Sequence, residues 1–281
     1  MRAQNSRAVD GAPSAPAIFA RSAVARSYPR WRAAVRDRSW VLLETVLPLI
    51  GTIAMIYVYK GLHAPDRFLG FVVMGGAMLA YWSNVLWSMG TQLYWDRDKG
   101  NLELYAIAPV SFVAVLCGMA LGGLIFSTVR AMCVVVIASL LFDVHYVWSA
   151  VPAAFGVFLL ALLALYGMGS LMGSLFLFYG REVWHVASAM QEPVYFLGGF
   201  YFPVHSLGAV LGGVAALLPI TLGLDAMRQL LLPGTPSFIA VHWEVLALVV
   251  QVPVYAAAAR AALQQMEMRS RREGRLIMRG G

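Results

Sequence analysis

Long apolar runs separated by short polar breaks set the plan of this chain. Runs at about Val41–Tyr59, Phe68–Leu93, Val110–Phe142, Val147–Phe178, Val183–Phe202 and Ile239–Ala259 carry few charges and do not alternate residue by residue. A membrane-crossing helix needs about 20 mainly apolar residues, whereas a transmembrane strand alternates over roughly ten. The pattern predicts an all-α membrane protein with six transmembrane helices. The third run exceeds one crossing and is expected to tilt or to continue beyond the bilayer, with Arg130 inside it.

Two further segments have a periodicity of their own. From Val24 to Val35 the apolar residues Val24, Tyr28, Trp31 and Val35 fall at helical spacing with arginines between them. This predicts an amphipathic helix lying in the membrane interface, anchored by Trp31 and Trp40 and either kinked or opened at Pro29. Pro203–Ser237 is apolar but broken by Gly208, Gly212, Gly213, Pro219, Gly223, Pro233 and Pro236. Its pieces are too short to span and predict short re-entrant helices before the last crossing. Residues 1–23 are rich in Ala, Pro, Ser and Arg, lack the apolar core of a secretory signal peptide, and predict a disordered tail. The domain division is then 1–23 tail, 24–263 membrane domain and 264–281 basic tail.

One compact charged island, Asp96-Arg97-Asp98-Lys99, interrupts this oil-soluble chain after the second run. A single charge near the bilayer centre costs about 2.5–3.5 kcal/mol on insertion scales, so the island is expected in water. Asn101 can cap a short helix with Glu103 in its first turn, and Leu102 and Leu104 supply apolar contacts. A short amphipathic helix with a charged leading edge suits a groove on a soluble partner.

Composition agrees with the pattern: 60% of residues are hydrophobic and 12% charged, against about 25% charged in soluble domains. The net charge of +7 raises the question of nucleic acid, and its distribution answers against it. The basic residues gather before the first run (Arg2 to Arg38), in the island, at Arg181, and from Arg260 to Arg279. With six crossings these all fall on one side, leaving only Lys60, Arg67, Arg130 and Arg228 outside or within the membrane. That asymmetry predicts a multi-pass plasma (inner) membrane protein with both termini cytoplasmic, touching anionic lipids and no nucleic acid.

Several chemistries can be weighed directly. A P-loop needs Gly-Lys-Ser/Thr after a Gly-rich turn; the two lysines, Lys60 and Lys99, follow Tyr59 and Asp98, so nucleotide chemistry would need another chain. Cys117 and Cys133 are 16 residues apart in one run, about 24 Å on a helix and too far for a disulfide. No metal-type Cys/His spacing occurs. Ser170 and Ser174 lie in the Gly-rich Met168–Ser174 stretch, where a hydrolase nucleophile would need a base in reach. His63, His145, His205 and His242 fall in or near outer loops, and His185 lies at the inner end of the fifth run. The bland alternative is close packing at Gly169 and Gly173, as at Gly118 and Gly122. Glu44, Arg130, Glu192 and Arg228 are ionisable groups in or near the membrane, and Glu44, Arg130 and Glu192 are candidates for a transport path. An ion-coupled secondary transporter is the alternative that would use them.

The island and its sequel, Asp96-Arg97-Asp98-Lys99-Gly100-Asn101-Leu102-Glu103-Leu104 followed by Ala108-Pro109-Val110-Ser111, resemble a stretch of type-2 ABC exporter permeases. Gly199-Phe200-Tyr201-Phe202-Pro203-Val204 with Leu218-Pro219-Ile220-Thr221-Leu222-Gly223-Leu224-Asp225-Ala226-Met227-Arg228 is similar to their signature before the last span. Asn101 departs from the family's usual Thr, and both residues cap helices. The resemblance implies six transmembrane helices, an elbow helix before the first and re-entrant helices before the last. It implies two paired permease subunits, identical or related, on two copies of an ABC ATPase subunit, coupled through the segment that here is Asp96–Leu104. ATP and magnesium would be bound by that ATPase, with no cofactor in this chain. It further implies export of drugs, lipids or glycans along the subunit interface. Tyr81, Trp82, Trp87 and Tyr94 are then either path-lining aromatics suited to amphipathic substrates or lipid-facing belt residues.

Overall fold

A computed structural model of the chain describes residues 15–90, 92–101, 112–179 and 182–273, and every regular element among them is helical. α1 spans Ala15–Arg36 and runs through Pro29 without a break. It starts inside the segment expected as a tail, whose residues 1–14 lie outside the described part. Ala23 is buried against the rest of the chain, while Phe19, Val24 and Tyr28 on α1 are exposed. Apolar side chains left uncovered on a basic helix fit a helix that rests on a membrane surface.

α2 (Arg38–Gly61) is followed by α3 (Arg67–Ser83), which continues without interruption as a seven-residue π-helix, Asn84–Gly90. α4 (Gln92–Asp98) comes next, then α5 (Phe112–Phe142) and α6 (Val151–Tyr179). α5 and α6 are apolar on all sides, as buried or lipid-facing helices must be. At 31 residues α5 extends about 46 Å, which accounts for a run longer than one crossing. Its first turns pack on α1: a side chain at Gly118 would meet the Ala23 carbonyl at 2.5 Å. The glycine is there to let the two backbones touch.

α7 covers Val183–Leu197 with Pro193 inside it. Short helices follow at α8 (Gly208–Ala215) and α9 (Pro219–Leu231), where Pro219 occupies the first turn and needs no intrahelical N–H partner. α10 (Val241–Glu273) closes the chain and extends into the stretch expected as a basic tail. Five stretches are long and apolar enough to cross a membrane: Val41–Gly61, Arg67–Trp87, Val113–Phe142, Trp148–Phe176 and Val241–Gln265. The remaining expected crossing, Val183–Phe202, is helical over the 15 residues of α7, about 22 Å, against a hydrocarbon core of about 30 Å.

The α3 column is the centre of the molecule and is almost wholly buried, whereas α2 and α10 turn most of their apolar side chains outward. Phe71, Tyr81, Trp82 and Leu86 from the α3 column, Ala161, Leu165 and Phe176 from α6, Ile220 and Leu224 from α9, and Leu248 from α10 share one core. α9 lies on α6, where Gly223 meets the Ala161 methyl.

Candidate functional site

The charged island begins as a helix. Asp96, on α4, is buried, while Lys99 is exposed and Gly100 takes φ +73 in the turn that follows. Asp96 accepts an ion-paired hydrogen bond from Arg26 Nη2 on α1 at 2.5 Å, with further donors at Gln92 Nε2 (3.2 Å) and Asn101 Nδ2 (3.4 Å). A carboxylate removed from water needs this density of donors. The island is therefore two-sided: Asp96 points into the protein and ties α4 to α1, and Lys99 points out. Leu102, Glu103 and Leu104 lie outside the described residues, as do the side chains of Arg97 and Asp98.

The link from α3 to α4 is the π-helix, a wide turn that recurs at functional positions in other helices. It opens at Asn84, which is 2% exposed and donates from Nδ2 to Tyr166 Oη on α6 at 2.9 Å. Asn84 also fills the notch that Gly123 leaves on α5. Further along, Trp87 donates to Gln191 Oε1 on α7 at 2.7 Å and lies against Trp184 with centroids 4.6 Å apart and the rings tilted by 55°. One short segment thus touches α5, α6 and α7.

Of the three charges named as candidates for a transport path, two form a pair and one does not join them. Arg130 Nη1 donates to Glu44 Oε2 at 2.8 Å, joining α5 to α2; the guanidinium is nearly buried and the carboxylate is 41% exposed. Glu192 is exposed on α7. Among the aromatics, Tyr81 and Trp82 are buried in the core, Tyr81 donating to Thr128 Oγ1 at 3.1 Å. Trp87 and Tyr94 are half-buried, with Tyr94 edge-on to Trp95. Ser170 and Ser174 donate to the Tyr166 and Ser170 carbonyls of their own helix at 2.9 and 2.8 Å. That back-bonding is a packing device rather than an activated nucleophile. Gly169 lies against Val85 and Met89 of the π-helix, so close approach accounts for that glycine.

At the opposite end of the bundle α9 carries Arg228, 1% exposed. Its Nη1 donates to the Gly199 carbonyl at 2.6 Å, its Nη2 to the Phe200 and Phe71 carbonyls at 2.7 Å each, and its Nε to Phe71 at 3.2 Å. The guanidinium also lies 3.3 Å from the Phe71 ring centroid. The turn after α7, where Gly199 takes φ +65, is thereby fastened to α3 at the notch of Gly75. A methyl there would run into the Phe200 carbonyl. The two signature segments around Gly199 and Arg228 are thus one physical unit. Sequence reasoning named both but not the bond between them, nor Asn84, and it gave Asp225 no role of its own. Asp225 is buried on α9 and accepts the Phe238 N–H at 2.8 Å, and Gln229 donates to Glu244 Oε2 on α10 at 2.9 Å. Among the described residues no group of three His, Cys, Asp or Glu side chains could hold a metal ion.

Comparison with known proteins places this geometry. Among curated proteins no match is found. The profile of the ABC-2 type transporter family matches residues 26–232, from the arginine of α1 that holds Asp96 through α9 and its Arg228. With most of its length so matched, and with helices suited to repeated crossing of a bilayer, the chain belongs to the ABC-2 type transporter family and is a multi-pass membrane permease.

Proposed function

We propose that this permease is the transmembrane half of an ATP-driven exporter, worked by a separate ABC ATPase that docks on the island Asp96–Leu104. The observation that carries the reading is the Arg26–Asp96 ion pair. It joins the amphipathic α1, acting as the elbow, to the island, so a push on α4 reaches both the membrane interface and the α3 column. The π-helix Asn84–Gly90 is where that push enters the spans, through Asn84 and Trp87. Lys99 is exposed for contact with the partner, and Arg97 and Glu103 supply further charge.

In this reading the chain crosses the plasma membrane six times with α7 as the fifth crossing, dips α8 and α9 into the outer leaflet, and keeps both termini in the cytoplasm. Two permease subunits sit on two ATPase subunits, which bind ATP and magnesium. The path runs along the permease interface, where α2 leaves Leu43, Leu47 and Ile50 uncovered and Glu44 half-open beside Arg130. An amphipathic substrate such as a drug, lipid or glycan matches a wall of that character, with Trp87 and Glu192 as further candidate contacts. The test is purification of the full chain from its own cells. A P-loop ATPase is expected to come with it, and charge reversal at Arg97 or Glu103 to abolish the association. Transport by the lone chain on an ion gradient would overturn the proposal.

A further inference from the structure

α2 carries a hollow that the fold of this chain does not use. Glu44, Leu47, Pro48 and Gly51 recur at the spacing of one helical face. A side chain at Gly51 would meet nothing within 4 Å, whereas Gly75, Gly118 and Gly169 are each closed by a neighbouring element. Packing within the chain therefore gives no reason for a glycine there. Pro48 lies inside α2 and has no N–H, so the helical ladder leaves the Glu44 carbonyl without its usual donor. The neighbouring hydroxyls are committed elsewhere, Thr45 Oγ1 to the Val41 carbonyl and Thr52 Oγ1 to the Pro48 carbonyl, each at 2.8 Å. The Glu44 carboxylate is 41% exposed and accepts from Arg130 Nη1 through Oε2 at 2.8 Å; among the described residues no donor reaches Oε1.

Two acceptors, one of them charged, thus open on α2 with the exposed side chains of Leu43, Leu47 and Ile50 around them. The guanidinium that balances Glu44 is nearly buried behind it, so the pair presents its negative end outward. Acceptors left bare beside hydrocarbon are costly, and a bound donor relieves that cost. An anion would meet the carboxylate first and be repelled. A cation without N–H groups would use the charge and leave the carbonyl bare. An ammonium has three donors and no acceptor, and it satisfies both groups. We infer that Glu44, Pro48 and Gly51 form a binding site for the primary ammonium head of an amphiphile, with its alkyl chain along Leu47 and Ile50. For any role in transport this rests on the proposed function, which puts the path on this side of α2. Binding itself needs neither ATPase nor ATP, so the two readings fail separately.

The full chain, in phosphatidylcholine nanodiscs, is dialysed against radiolabelled dodecylamine, dodecyltrimethylammonium or laurate, with uptake by protein-free discs subtracted. Saturable binding is expected for dodecylamine, weaker binding for the quaternary ion and none for laurate. Glu44→Gln should weaken dodecylamine binding by about tenfold or more, the worth of one charge-assisted hydrogen bond. Two further variants keep the Glu44–Arg130 pair and so read binding apart from folding. Pro48→Ala returns a donor to the Glu44 carbonyl and should lower dodecylamine to the level of the quaternary ion, leaving the latter unchanged. Gly51→Leu fills the hollow and should weaken both cations. Phosphatidylethanolamine discs separate two sources of the same head group. Loss of dodecylamine binding there assigns the site to a membrane amino-lipid, persistence assigns it to a free amine, and both support the inference. Laurate bound as tightly as dodecylamine would overturn it, as would dodecylamine binding indifferent to any of the three variants. Gly51→Leu that separates a permease dimer and leaves dodecylamine bound would give the hollow to a second copy of the chain instead.

Discussion

Arginine fastens both ends of this molecule, by opposite means. At the α4 end Arg26 meets a formal counter-ion, Asp96, across two helices, and part of its side chain remains in reach of solvent. At the α9 end Arg228 has no counter-ion in contact; it is sealed in, and backbone carbonyls of α3 and of the turn after α7 accept its hydrogen bonds. A pair between side chains on separate elements can separate if water replaces each partner. A guanidinium wrapped in carbonyls cannot leave without stranding every one of them. Under the proposed function the α4 end is the one that moves with a partner, and the α9 end is the one that holds.

The largest effect should come from removing the fixed clamp. Arg228→Met leaves the Phe71, Gly199 and Phe200 carbonyls without their donor and is expected to cost at least about 3 kcal/mol, read as loss of folded protein in detergent-based thermal unfolding. Arg228→Lys should recover only part of this, because an ammonium cannot span the same acceptors. Next is Gly75→Ala, which drives a methyl into the Phe200 carbonyl and should cost about 1–3 kcal/mol by overpacking, seen by the same measurement. The movable end should be more forgiving. Asp96→Asn or Arg26→Gln is expected to cost roughly 1–2 kcal/mol, with a double-mutant cycle showing coupling between the two sites. The exchange Arg26→Asp with Asp96→Arg should restore part of the loss. An Asp96 variant more damaging than Arg228→Met would invert the comparison. Smallest are Ser170→Ala and Ser174→Ala, expected within about 0.5 kcal/mol of wild type; abolition of a hydrolysis performed by the intact chain would instead make these serines catalytic.

The long runs were legible because hydropathy is a property of a segment and needs no partner. The spans of α2, α3, α5, α6 and α10, the broken helices around Pro219 and the glycine notches at Gly118 and Gly169 all follow from local composition. Pairings were not legible. Glu44 and Arg130 each stand out as charges in apolar runs, but 86 positions separate them, and nothing local says that they meet. Arg228 stood in a recognised motif while its acceptors were backbone atoms, which leave no mark on a sequence. The π-helix after Ser83 is invisible for the same reason, since Asn84–Gly90 differs from an α-helix only in which carbonyl each N–H selects. Asp96 was expected to face water along with its charged neighbours. A short helix carries charges on more than one side, and only the position of Arg26 on α1 reveals which of them turns inward. Of the kink or opening expected at Pro29, the opening does not occur, because α1 passes through it.

The account rests on the exposed side of α4 facing the compartment of a soluble ATPase. A cysteine at Lys99, in a chain with Cys117 and Cys133 replaced, reports this directly through a thiol reagent that cannot cross the membrane. Labelling is expected in inside-out vesicles, suppressed when the ATPase is bound, and absent from intact cells. Labelling of intact cells from outside would contradict the account.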